Sequence, residues 1–226
     1  MKILAIETAT EACSAALLID QEITLRHTVK PRGHSELVLG MMDELLTEAG
    51  MKITGLDALA FGRGPGSFTG VRIATGVIQG AALGADLPVV PVSTLAALAQ
   101  RGYRELGQSC LLPAYDARMG ELYWAAYRLG ERGLVEPIIA EQVATADQVE
   151  LPDDGGWYGV GSGWGCCAEP LQARLGGQLL GFTDEFHCSA EDVARLAVED
   201  FRLGRAVAPE LALPVYLRNQ VAQKPA

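Results

Sequence analysis

The sequence predicts an α/β protein with mixed sheets, and predicts that the plan is used twice. Two observations carry this. Three strand-like runs open the chain before helices and strands begin to alternate, the order expected of a mixed sheet layered with helices. After Gly107 the same pattern starts again.

The elements follow in order. KILAI, Lys2 to Ile6, is apolar and reads as a buried strand. A polar break, Glu7 to Glu11, separates it from CSAALLID and EITLRHTV, two further strands joined near Asp20 and Gln21. HSELVLGMMDELLTEAG is a helix with Gly50 as its stop signal. LDALAFGR is a strand, Ser67 to Gly84 a helix, LPVVPV a strand, and STLAALAQRG a helix capped by Ser93 or Thr94. In the second half, SCLLPAYD is a strand ending at Asp116, ARMG a turn, and ELYWAAYRL a strand. GWYGVGSGWG is a strand running into a glycine-rich turn, with the helix CAEPLQARLG after it. SAEDVARLAVEDFRLG is another helix, with Ser189 and Asp192 at capping-box spacing. Both halves thus show strand, acid, turn, strand, and later strand, glycine turn, helix. The acids are Glu7 and Asp116, and the glycine turns begin near Gly62 and Gly159. The expected domains are residues 1–104 and 105–226.

Composition narrows the function. The 226 residues carry a net charge of −10 and a pI near 4.8, with no run of Lys or Arg. Direct nucleic-acid binding usually rests on a basic patch that releases counterions, so any nucleic acid is expected to be held by a partner. The five cysteines are odd in number and lack a CxxC, which argues against a disulfide framework or zinc site. His27, His34 and His187 form no HxxH, HxxxH or HExxH, so no metal site is expected. No apolar run approaches a membrane span, and Glu7 interrupts the N-terminal strand, so the expectation is a cytoplasmic protein with no membrane contact.

The run FGRGPGSFTG fits neither standard phosphate loop. It lacks the lysine of a Walker A loop, and Ser67 stands where a dinucleotide fingerprint needs its third glycine. Two readings stay open here: an anion held by backbone N–H groups, or a sharp strand-to-helix turn capped by Ser67 or Thr69. Glu7, Thr8, Thr10 and Asp116 outline a nucleotide cleft, in which paired acids hold Mg²⁺ through water while the threonines meet phosphate. Ordinary polar turn residues are the alternative. No GxSxG elbow supports a peptidase.

The helix after this loop carries Gly76, Gly80 and Gly84 in one row. Each helical glycine costs roughly 0.5–1 kcal/mol relative to alanine, so close approach of another backbone is the expected gain. The apolar arcs of this helix and of the helix at 34–50 are wider than one sheet covers. A partner surface would use Leu37, Val38, Met41, Met42 and Leu45 on the first helix. On the second it would use Arg72, Thr75, Gly76, Gln79, Gly80 and Leu83. The alternative is that the chain covers both helices itself. A homodimer through them is expected when the protein is alone.

Four runs together resemble the TsaB family, formerly called YeaZ: MKILAIETATEACSAALL, GRGPGSFTGVRIATG, DARMGELYWAAY and PVYLRN. The resemblance covers Met1 to Asn219. It implies a fold of the actin, Hsp70 and sugar-kinase kind, with two duplicated ribonuclease-H-like halves. It also implies a non-catalytic part in making N6-threonylcarbamoyladenosine at position 37 of tRNAs reading codons that begin with A. The implied partners are a TsaD-like transferase and a TsaE-like ATPase, with tRNA met only through the complex. No cofactor is implied for the chain alone, and ATP or ADP only at the complex interface. Where the transferase family has a metal-ligating HxxxH, this sequence has Thr94 and Leu98, which cannot replace imidazole. The first-strand acid, often Asp in the family, is Glu7 here. An ATP-dependent small-molecule kinase or ATPase of the same fold is the competing function.

Overall fold

The computed structural model describes residues 1–30 and 33–218; Asn219, the end of the PVYLRN run, lies outside the described residues. The first sheet contains β1 (Lys2–Glu7), β2 (Ala12–Ile19), β3 (Glu22–Val29), β4 (Ala58–Gly62) and β5 (Val89–Val92). The same half carries α1 (His34–Glu48), α2 (Phe68–Ala85) and α3 (Thr94–Leu106). The second contains β6 (Cys110–Arg118), β7 (Glu121–Leu129), β8 (Val135–Thr145), β9 (Trp157–Val160) and β10 (Leu179–Thr183), with α4 (Gly163–Leu175) and α5 (Ala190–Arg202).

The sheet orders are β3-β2-β1-β4-β5 and β8-β7-β6-β9-β10, one plan used twice. The first three strands of each half pair antiparallel and the last two join in parallel. This is the duplicated, mixed α/β plan that the repeated pattern led us to expect. The central β1 is buried on both faces, from Ile3 to Ile6, which is why it reads as continuous apolar sequence and not as alternation.

The halves exchange helices. α3, from the first half, lies against β6, β7, β8 and β9; α5, from the second, lies against all five strands of the first sheet. The two helices also pack on each other. One buried cluster therefore joins Ile3, Ala5 and Val92 to Leu111, Tyr115 and Val193. Outside it, α1 and α2 cover the first sheet through Val38, Met42, Leu45 and Ile78, and α4 covers the second around Trp124, Trp157 and Trp164.

Residues 205–218 return as a strap along the first half. Val207 bridges to Val89 at the open edge of β5, and the Val215 N–H donates to the Arg63 carbonyl at 2.8 Å. Further on, Arg218 donates to the Arg118 carbonyl at 3.3 Å and contacts Glu121, both at the β6–β7 turn.

Three local expectations change. β8 and β10 carry Pro137 and Gly181 within short or mixed-polarity edge strands, a pattern that hides them from periodicity. α4 starts at Gly163, ahead of the expected Cys167. Ser189 caps α5, accepting from the Glu191 N–H at 3.2 Å, but no capping box closes: the Asp192 carboxylate is taken by Arg104 at 3.0 and 2.9 Å.

Candidate functional site

Glycine at the α2 entry is set by the β1–β2 turn. A Cβ on Gly62 would overlap the Glu7 carboxylate, one on Gly66 would meet the Ala9 carbonyl, and one on Gly70 the Thr8 carbonyl. The Ser67 N–H donates to the Ala9 carbonyl at 2.7 Å, and the Ser67 hydroxyl accepts from the Gly70 N–H at 3.4 Å, capping α2. The loop is thus a sharp strand-to-helix turn with Ser67, not Thr69, as the cap. Its counterpart in the second half is also packed: Gly159 lies on the Trp164 ring.

The acids are spent locally. Glu7 is fully buried; its Oε1 accepts from the Ala9 N–H at 2.6 Å and its Oε2 from the Thr94 hydroxyl at 3.2 Å. Thr94 in turn accepts from the Gly64 N–H at 3.2 Å. Burial holds the Glu7 carboxyl above the ordinary carboxylate range despite these bonds. Asp116 repeats the arrangement in the second half. Its Oδ1 accepts from the Arg118 N–H at 2.7 Å and its Oδ2 from the Arg118 guanidinium at 3.0 Å. In each half the acid holds the N–H two residues on.

The residues expected to outline a nucleotide cleft are largely closed off in the free chain. Glu7 and Thr8 have no exposed surface, and the Thr8 hydroxyl donates to the Gly70 carbonyl at 2.7 Å. Thr10 is buried too and accepts from the Ala12 N–H at 3.3 Å. Asp116 alone is partly open, and it is paired. Thr94 and Leu98 are fully buried: Thr94 seals Glu7, and Leu98 packs against the Gly161 turn.

The helix surface also sorts differently from the wheels. Val38, Met42 and Leu45 point into the core, because α1 lies on the sheet through that side. Thr75 is buried as well, its hydroxyl returned to the Val71 carbonyl at 2.9 Å. These four are therefore not surface residues. Arg72 and Gln79 are engaged by the strap. The Arg72 guanidinium stacks 3.5 Å from the Phe68 ring and donates to the Tyr216 hydroxyl at 2.9 Å; Gln79 donates to the Ala212 carbonyl at 3.1 Å. Leu37 and Met41 are half-buried.

The glycine row stays open. Among the described residues, no atom outside the helix's own backbone lies within 4 Å of a Cβ placed on Gly76, Gly80 or Gly84, and Leu83 beside them is 73% exposed. A groove of about 460 Å³ follows the row, walled by Leu83, Pro209 and Glu210. The apolar arc read from sequence held Leu39, but the expected partner surface left it out although it is 55% exposed on α1, and sequence reasoning did not place the strap residues Pro209, Leu211 and Tyr216 beside α2. PVYLRN stood out as a motif, but nothing local says which helix it crosses.

A larger groove of about 1230 Å³ lies between the halves. In its floor Glu141 meets Arg63 at 3.6 Å, the Tyr127 hydroxyl at 3.4 Å and the Ser93 hydroxyl. None of the four expected cleft residues lines it.

The family described as "TsaD: tRNA N6-adenosine threonylcarbamoyltransferase" matches residues 26–160. The tRNA threonylcarbamoyladenosine biosynthesis protein TsaB of Escherichia coli is 44% identical over 229 residues, covering 99% of this chain and 97% of that protein. Its namesake from Haemophilus influenzae is 36% identical, covering 99% and 96%. The solved structure of YeaZ from Pseudomonas aeruginosa superposes with a TM-score of 0.89 at 43% identity, covering 96% of this chain and 99% of that one.

Proposed function

The chain belongs to the TsaB family of tRNA threonylcarbamoyladenosine biosynthesis proteins, and on that premise we propose that it is a non-catalytic subunit of the tRNA-modifying machinery. In this reading it docks on a TsaD-like transferase, works with a TsaE-like ATPase in the cytoplasm, and meets tRNA only through that assembly. The product is N6-threonylcarbamoyladenosine at position 37 of tRNAs reading codons that begin with A.

The observation that carries the reading is the open glycine row. Gly76, Gly80 and Gly84 weaken the helix by roughly 2–3 kcal/mol in sum, and among the described residues no other element comes within 4 Å of the Cβ positions in return. A partner helix lying against the row offsets that cost through close backbone contact. Leu83 and Leu39 supply exposed apolar area on the same two helices. When the protein is alone, the same surface pairs with a second copy. The sealed Glu7, with Thr94 and Leu98 at the ligand positions, supports the non-catalytic half of the proposal.

Reconstitution tests it. The purified chain with tRNA and threonylcarbamoyl-adenylate is expected to modify nothing, and adding the transferase to yield product. Robust modification by the chain alone would overturn the reading.

A further inference from the structure

Cys166 and Cys167 are neighbours in the chain, and their sulfurs lie 3.2 Å apart. Neighbouring side chains on a regular helix diverge by about 100°, so this approach needs a break in the backbone. Cys167 supplies it: φ −134° and ψ 24° leave the helix inside α4. Four residues after Cys166, Pro170 has no N–H to give the Cys166 carbonyl. The turn that carries Cys166 is thereby untied from the helix beyond it. Cys166 is exposed and Cys167 half-buried, and neither is in a disulfide.

We infer that Cys166 and Cys167 form a dithiol site that small disulfides of the glutathione class oxidise reversibly, closing a ring between neighbouring residues. One cysteine sulfur, as thiolate, attacks the small disulfide and breaks its S–S bond; a mixed disulfide forms and one small thiol leaves. The second cysteine sulfur, already in contact, attacks the first and releases the other small thiol. One protein S–S bond forms and one small-molecule S–S bond breaks. The two protons and two electrons of the protein thiols leave on the two small thiols. The Cys166 thiol donates to the Gly163 carbonyl at 3.4 Å. Partial desolvation of this otherwise exposed thiol, with the neighbouring thiol, pushes it up to about 12, so the reaction is slow near neutrality and quickens as pH rises.

Tryptic cleavage after Arg132 and Arg174 isolates residues 133–174, whose cysteines are these two alone. The native chain is incubated with oxidised glutathione at rising pH and mapped by mass spectrometry. The expected result is loss of two hydrogens from this peptide, faster at higher pH and reversed by dithiothreitol. Cys166→Ser and Cys167→Ser should each carry a single glutathione adduct instead. An unchanged peptide, two stable adducts, or a disulfide between chains would overturn the site. So would loss of two hydrogens in either single variant.

Discussion

Glu7 shows how one residue type takes its role from its surroundings. A carboxylate at full burial is costly, and its pKa is raised because desolvation outweighs the bonds from Ala9 and Thr94. The folded state therefore holds its proton more tightly than the unfolded chain. Its contribution is complete below the ordinary value of 4.5 and is lost as pH rises through the raised folded value. Glu7→Gln keeps the shape and removes the charge. Melting temperatures of the two proteins should agree at acid pH, with the variant ahead by a margin that grows toward neutrality. A constant margin across pH would contradict the burial account. His27, exposed on its edge strand, and half-buried His187 act in the opposite sense: partial desolvation lowers both, so their contribution is lost as pH falls below 6.5. Subtracting parent from variant isolates Glu7 from them. The acid at the end of the first strand is legible in sequence. Its sealing is not, because Gly62 and Thr94, which make the room and close it, lie far away in the chain.

Within α2, glycine has two meanings that no local pattern separates. Gly70 admits the Thr8 carbonyl, and Gly80 faces open space. Gly70→Ala should cost about 1–3 kcal/mol or more, since its Cβ would meet backbone that cannot swing away. Gly80→Ala should gain up to about 1 kcal/mol in the isolated protein. Urea melts of both variants check the pair, and equal signs would contradict it. The wheel of α1 was legible as wide, yet width alone does not say which side meets the sheet. Val38, Met42 and Leu45 took the inner side, leaving Leu39 outside. The strap is the other gap: a segment whose regular structure is one 3-10 turn, Pro209–Leu211, and a single bridge covers Arg72 and Gln79, and its contacts span more than a hundred residues of sequence.

At the scale of the molecule, the duplication was legible because both halves repeat the same order of strands and acids. The helix exchange was not, because α3 and α5 have ordinary amphipathic patterns that fit either sheet. The exchange makes the halves interdependent. A fragment ending at Gly107 would strip α5 from the first sheet, and its complement would lose α3. Neither fragment should fold alone, whereas the two mixed should regain native near-ultraviolet circular dichroism; an independently folded half would contradict this. The Arg104–Asp192 pair links the exchanged helices, with Asp192 fully buried. Arg104→Met should cost roughly 2–3 kcal/mol, less than for a fully buried pair because the guanidinium is partly exposed.

The central claim is that the open row on α2 is the place where the transferase docks. Gly80→Leu tests it most directly, by thermal melting together with titration against the purified transferase. The account predicts a variant that melts at or above the parent and binds at least about tenfold more weakly, a loss of about 1.4 kcal/mol. A variant that melts normally and binds at full strength would contradict it.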